Sequence, residues 1–219
     1  MIDLQLTEKI KKIISVDVND VVKDAQAAGL PVTSIACFST SGELDYRITK
    51  KIMDNYASTA AKYCALSGAG TGIGGLTSTI ALASVDIANI AAQLFRLNQR
   101  LAILSGLNPE DPDDQKRINS IYLRSLGFDD ETYFSMKEKF VNSVRAEPQR
   151  ETNLLLILEV TKYLGIVLSK IQITKIIPFL GAIAGSTLNY FFAKKAAKQM
   201  IHSYEFSLLL LRKEVMHSN

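Results

Sequence analysis

Between Lys62 and Asp86 the chain reads YCALSGAGTGIGGLTSTIALASV, which is 23 consecutive uncharged residues from Tyr63 to Val85. The run is rich in Gly, Ala, Ser and Thr and poor in Leu, Ile and Phe. It is long enough to span a bilayer, but it lacks the large side chains of an ordinary membrane helix. Its glycines recur at four-residue steps, which on a helix leaves a stripe where another backbone can approach closely.

A second uncharged run, Ile176 to Ala193, has 18 residues, with Lys175 before it and Lys194, Lys195 and Lys198 after it. Small or short side chains recur in it every four residues: Gly181, Gly185, Asn189, Ala193 and Ala197. We expect the two runs to form helices that pack on each other. Because lysines flank the second run on both sides, membrane contact would take the form of a re-entrant or interfacial hairpin. The alternative is the tight core of a soluble bundle.

The rest of the chain has apolar residues at steps of three and four and few strand signals. Helices are expected over residues 9–14, 16–28, 43–66, 70–105, 111–127, 129–145, 151–169 and 174–213. A short strand or an ordered loop competes only at Pro31 to Gly42. The sequence therefore predicts an all-α, compact bundle of about seven or eight helices, with two central glycine- and alanine-rich helices packed on each other.

We expect one domain over residues 1–219, since this length suits a single buried core. Within it, residues 1–42 hold the N-terminal helices and loop, and 43–107 the first glycine-rich half. Residues 108–150 form acidic central helices, and 151–219 the second glycine-rich, basic half.

The overall charge excludes some functions. A net charge of +3 is too small for a protein that wraps nucleic acid. From Val160 onward there are eight basic residues against Glu205 and Glu214, and such a basic, apolar region suits an anionic membrane surface. The mean hydropathy of +0.12 lies between the values typical of soluble and of polytopic membrane proteins.

Metal, disulfide and secretion signals are not found in the sequence. Cys37 and Cys64 form no CxxC motif, and His202 and His217 have no acidic companion at metal spacing. The first residues contain no continuous apolar run typical of a secretory signal. We therefore expect no cofactor, and a cytoplasmic location, peripheral or re-entrant at the membrane.

One polar line crosses the apolar helix that follows the first run. It recurs at steps of three and four, at Asp86, Asn89, Gln93, Arg96 and Arg100. A carboxylate among small apolar residues must find a partner or face water. Arg96 and Asn189 are the first candidate partners for Asp86; the alternative is a helix face that meets solvent or an internal ion pair.

The sequence contains no convincing catalytic motif. Gly70-x-Gly72-x-x-Gly75 matches the dinucleotide fingerprint as a string, but the residues before it indicate a helix rather than a strand. No P-loop and no nucleophile elbow is present. An enzyme with a nucleotide pocket at Gly70–Gly75, Asp86 and Arg96 is the third possibility.

Several blocks, taken in order, resemble the EcsC protein family. They are Gly70–Gly75, the Asp86-Ile87 pair with Gln93 and Leu97, LSGLNP at 104–109, DPDDQKR at 111–117, and KIIPFLGAIAG at 175–185 with Asn189. The family often has Pro where this chain has Ala88, and Tyr where it has Ser105. The resemblance implies a bacterial, membrane-associated helical module, and no enzymatic activity comes with it. Its founding member is encoded beside an ABC transporter of the EcsA and EcsB type.

Two functions follow as expectations. The first is a non-enzymatic bacterial accessory or interaction module at the cytoplasmic membrane surface, with lipid or a membrane protein such as an ABC transporter as partner. The second is a soluble cytoplasmic bundle that holds a lipid or partner helix in an apolar groove, near Asp86 and Asn189. The candidate packing or ligand residues are Gly70, Gly72, Gly74, Gly75, Asp86, Gln93, Arg96, Gly181, Gly185 and Asn189.

Overall fold

The computed structural model describes residues 4–40, 44–68, 76–142, 149–174 and 181–217. Helices account for nearly all of these residues, and none of them is in a strand. The helices are α1 Leu4–Ile14, α2 Val18–Ala27, α3 Ala36–Thr40, α4 Tyr46–Gly68, α5 Leu76–Leu104, α6 Pro112–Ser125, α7 Asp130–Lys137, α8 Gln149–Thr174 and α9 Gly181–His217. A π-helical turn, Glu138–Asn142, continues α7. The prediction of an all-α bundle is confirmed.

The segment from Pro31, where a short strand or an ordered loop was the alternative to a helix, contains a short helix. Residues 36–40 form the five-residue α3, which brings the described helices to nine against the seven or eight expected. Backbone hydrogen bonds from Cys37 to Ser34 and from Phe38 to Ile35 start this turn. Phe38 is buried and holds this short helix against the core.

The acidic cluster of the middle region caps helices. The Asp111 carboxylate accepts hydrogen bonds from the backbone N–H groups of Asp113 and Asp114, both at 3.0 Å, at the start of α6. Asp129 does the same for Thr132 at the start of α7. These bonds satisfy amide groups that a helix start leaves unpaired. The expected starts of both helices are therefore confirmed.

Helix α5 is the centre of the bundle. It contacts α1, α2, α4, α6, α8 and α9. Alanines let these neighbours come close, because Ala88, Ala91 and Ala92 are fully buried with no long side chain to keep the helices apart. Helix α9 packs on α5 and, more extensively, on α4. Three members of its expected small-residue stripe, Asn189, Ala193 and Ala197, are buried.

Helix α4 runs antiparallel to both α5 and α9. At one end of the bundle the Tyr46 hydroxyl of α4 donates to Glu205 Oε1 of α9 at 2.7 Å. Towards the other end Asn89 Nδ2 of α5 donates to the Tyr63 carbonyl of α4 at 3.5 Å. Gly165 of α8 lies close to Ile87 at the same level of α5.

The C-terminal ends of α4 and α8 and the N-terminal ends of α5 and α9 therefore share one end of the bundle. We call residues 58–68, 76–89, 160–174 and 181–198 the hairpin end. The described parts of both uncharged runs lie there.

A buried amide joins three helices at the centre of the molecule. Asn98 of α5 donates from Nδ2 to the Ile118 carbonyl of α6 at 2.8 Å, and its Oδ1 accepts from the Tyr204 hydroxyl of α9 at 3.0 Å. Nearby, the Tyr122 hydroxyl donates to the Ala91 carbonyl at 2.9 Å, and the Tyr122 ring meets the edge of Phe95. These bonds fix how α6 and α9 are placed around α5.

Gly106 is required by a close approach. It ends α5 with φ +80°, and a Cβ there would lie 2.7 Å from Ser39 Cβ and 3.0 Å from Ser39 N of α3. We expect Gly106→Ala to lower the free energy of unfolding by about 3 kcal/mol, because backbone strain and a clash with backbone atoms add together. Gly127→Ala is the matched control: it also has positive φ, but open space around it. Its expected cost is about 1 kcal/mol. Equal losses in urea denaturation would contradict the contact with Ser39.

Asn98→Leu tests the central amide. The variant removes the second bond of the Ile118 carbonyl and leaves the Tyr204 hydroxyl buried without its acceptor, so we expect the free energy of unfolding to fall by about 2–4 kcal/mol. Tyr204→Phe removes one of the two bonds and keeps the ring, and should cost about 1 kcal/mol. Chemical denaturation of both variants measures the difference. A Tyr204→Phe loss as large as that of Asn98→Leu would show that the amide does not join three helices.

Candidate functional site

A cavity of about 300 Å³ lies between α4 and α5. Three members of the polar line on α5 face it, namely Gln93, Arg96 and Arg100. The remaining lining consists of Tyr56, Thr59, Ala60 and Tyr63 of α4, with Leu97 of α5. The polar line thus faces a second helix across a space large enough for a small ligand.

Arg96 joins α5 to the N-terminal helix. Its Nη1 donates to the carbonyl of Ile13, in the last turn of α1, at 3.1 Å. Carbonyl groups in the last turn of a helix lack partners within that helix, and a cation there also complements the helix dipole. Burial, together with the neighbouring charge of Arg100, lowers the pKa of the Arg96 guanidinium. Arg96 therefore positions α1 and lines the cavity at the same time.

The Asp86–Arg96 pair expected from the sequence is not what the helix geometry brings together. Ten residues of α5 separate the two, which places them about 15 Å apart along the helix axis. Arg96 instead bonds to Ile13. Asp86 is half-buried and, like the buried Asn189 of α9, does not line this cavity. This cavity is therefore not the pocket predicted near Asp86 and Asn189, which stays a prediction.

Arg100 stacks on an aromatic ring that is itself held in place. Its guanidinium carbon lies 4.7 Å from the centre of the Tyr56 ring. The Tyr56 hydroxyl donates to Asp24 Oδ2 of α2 at 2.6 Å. Burial, followed by the effect of Asp24, raises the pKa of Tyr56, so the hydroxyl stays protonated as a donor. In the described part of the chain, Arg100 Nε is buried and has no hydrogen-bond partner.

The electrostatics of the cavity favour an anion. Its lining contains two cations, Arg96 and Arg100, and no carboxylate. Asp24 lies outside the lining and is already bound by Tyr56. The residues that line the cavity include no nucleophile paired with a base.

The remaining candidate residues are glycines of the two uncharged runs. Gly70, Gly72, Gly74 and Gly75 lie outside the described residues. Gly181 and Gly185 fall in the first turns of α9. The segment before the glycine-rich string is the helix α4, as predicted, so the strand that a dinucleotide fingerprint requires is not there.

The half of the site that α4 contributes was not among the residues predicted from the sequence. Tyr56, Thr59 and Tyr63 follow one another at steps of three and four, which places them on one helix face. That spacing predicts a shared helix face. It does not identify the helix that this face contacts, and so it could not pair these residues with Arg96 and Arg100.

A family model described as the EcsC protein family matches residues 2–208. Neither the curated proteins nor the solved structures give a match. Among the described residues, no helix combines the length and the apolar character needed to cross a membrane. No group of three His, Cys, Asp or Glu side chains in the described part could hold a metal ion.

The two cysteines differ in environment, although neither lies in the cavity lining. A backbone hydrogen bond at Thr33, followed by the hydroxyl of Ser34, lowers the pKa of the half-exposed Cys37 thiol to about 6. Burial raises the pKa of the Cys64 thiol to about 12. Cys37 is therefore largely thiolate above about pH 6, whereas Cys64 stays a thiol.

Alkylation with iodoacetamide between pH 5 and pH 9, read by mass spectrometry, tests this difference. We expect Cys37 to react with a midpoint near pH 6, because the thiolate is the reactive form. Cys64 should stay unmodified until urea unfolds the chain. Cys37→Ser is the control and should abolish native-state labelling. A midpoint at the ordinary cysteine value of about 8.5 would contradict the lowered pKa.

Proposed function

The chain belongs to the EcsC protein family, and we propose that it is a non-enzymatic bacterial module that binds the cytoplasmic membrane surface through its hairpin end. Contact with the bilayer is peripheral, at the level of the lipid headgroups. The observation that carries the proposal is that the described parts of both uncharged runs, distant in sequence, lie at this one end of the bundle.

The charge at the hairpin end supports contact with anionic lipids. Its ranges, 58–68, 76–89, 160–174 and 181–198, contain six lysines and one acidic residue, Asp86. Lys62, Lys194 and Lys195 are exposed there. Basic residues near an anionic bilayer surface contribute about 1 kcal/mol each.

Exposed apolar side chains lie at the same level as these lysines. Tyr63 is 53% exposed, Leu66 69%, Ile166 53% and Phe191 63%. Large apolar and aromatic side chains next to lysines are typical of surfaces that enter the headgroup region. Each uncharged run also has its charged boundary here, at Lys62 for the first and Lys194 for the second. The hairpin end thus combines apolar side chains with a rim of positive charge.

Vesicle flotation with the full chain tests the proposal, and the chain offers a matched pair of variants. Phe191 and Phe206 lie on the same helix, are 63% and 60% exposed, and are about 22 Å apart along it. Phe206 belongs to the end near Glu205 and Tyr46, opposite the hairpin end. We expect Phe191→Ser to weaken binding to vesicles of phosphatidylcholine and phosphatidylglycerol about tenfold, since a buried phenyl ring contributes about 1.5–3 kcal/mol. Phe206→Ser should bind as the original chain does.

The charge contribution is tested separately. Lys194→Gln with Lys195→Gln should weaken binding to the anionic vesicles and reduce its dependence on salt. Pure phosphatidylcholine vesicles are the reference. Absence of vesicle binding by the unmodified chain, or equal losses in the two phenylalanine variants, would overturn the proposal.

A further inference from the structure

We propose that the cavity between α4 and α5 binds a phosphate-bearing group, held by Arg96 and Arg100. This inference does not require membrane contact, because it rests on the lining of the cavity alone. The shared chemistry is a phosphate monoester or diester, which a soluble metabolite or a lipid headgroup can supply.

Two guanidinium groups on one helix face form the cationic wall. Arg96 and Arg100 are four residues apart on α5, so that their side chains are neighbours. Arginine presents its N–H groups in a planar fork that matches the oxygens of a phosphate. Like charges four residues apart on a helix repel each other. The two guanidinium groups are therefore unfavourable side by side on one wall of a cavity unless an anion is bound. An anion between them would remove that repulsion.

The existing contacts use only part of the donor capacity of these side chains. Each guanidinium has five N–H donors. Arg96 uses one towards the Ile13 carbonyl, and Arg100 rests on the Tyr56 ring. The buried Arg100 Nε has no partner among the described residues. A buried donor without an acceptor costs free energy that an incoming phosphate oxygen would recover.

The neighbouring aspartates, Asp20 and Asp24, lie outside the cavity lining that contains the two arginines. Asp20 is close enough for its charge to raise the pKa of Arg96, against the stronger effect of burial. Neither Asp20 nor Asp24 lines the cavity. The Asp24 carboxylate accepts from the Tyr56 hydroxyl, which holds the ring under Arg100. Asp24 therefore orients the Tyr56 ring, and neither aspartate lines the cavity.

The size of the cavity favours a small ligand. Its volume of about 300 Å³ is at the lower limit of ligand cavities. Tyr63 in the lining is 53% exposed. Buried Ala60 and Leu97 supply an apolar floor. Thr59 and Gln93 add uncharged donors for ester or headgroup oxygens.

Isothermal titration with inorganic phosphate and with sn-glycerol 3-phosphate forms the soluble arm of the test. Flotation with phosphatidylcholine vesicles, with and without phosphatidic acid, forms the lipid arm. Arg100→Gln removes one fork without touching the bond to Ile13. We expect it to weaken binding at least tenfold in whichever arm shows binding. Arg100→Lys keeps the charge but loses the planar fork. Its affinity should therefore lie between those of the original chain and of Arg100→Gln.

Arg47→Gln is the matched control, since its side chain is 90% exposed at the opposite end of α4. It removes the same charge and should bind as the original chain does. Gln93→Leu is a second variant of the lining and keeps the test informative if Arg100→Gln does not fold; it should weaken binding several-fold. Thermal melting of each variant checks that the fold is intact.

The two arms separate the possible sources. Binding of glycerol phosphate that depends on Arg100, without preference for phosphatidic acid, identifies a soluble phosphate ester. Vesicle binding that depends on Arg100 and on phosphatidic acid, without soluble binding, identifies a lipid headgroup. Identical behaviour of Arg100→Gln and Arg47→Gln in both arms would overturn the inference. A different result would overturn the membrane proposal, namely the absence of vesicle binding by the unmodified chain.

Discussion

Helix α5 packs against six other helices of the described structure, and several of its polar side chains bond to those helices. Asn98 binds α6 and α9 at once, and Arg96 reaches the last turn of α1. The Ala91 carbonyl, already used within the helix, also accepts from Tyr122. These bonds fix the register of α1, α6 and α9 against α5, which apolar contact alone would not do.

Close packing around α5 gives way to a cavity where two polar faces meet. Alanines at positions 88, 91, 92 and 102 let the surrounding helices approach and are fully buried. Where α5 faces α4, the arginines of α5 and the tyrosines of α4 are too large and too polar to close in the same way. The cavity is thus a consequence of side-chain size and charge on two facing helices.

Local features of the fold could be predicted from the sequence, because the physical causes are local. Asp111 and Pro112 start a helix by capping and by restricted φ, and Gly106 and Gly127 end helices in the left-handed region. Periodicity also placed the polar line on one face of α5.

The partner of Arg96 could not be predicted in this way, since it is the backbone carbonyl of Ile13, 83 residues away. No side-chain pattern identifies a carbonyl as a partner. The same holds for the face of α4 that completes the cavity, because the contact depends on how two helices pack.

The pairing of α4 with α9 also sets the order in which the chain can fold. Tyr46 and Glu205 are 159 residues apart in sequence. At synthesis rates of roughly 5–20 residues per second, Glu205 follows Tyr46 from the ribosome by about 8–30 s. During that time the face of α4 that α9 will cover has no partner from its own chain. Completion of the bundle therefore waits for its last helix, and a nascent chain spends seconds with an apolar helix face that needs protection from aggregation.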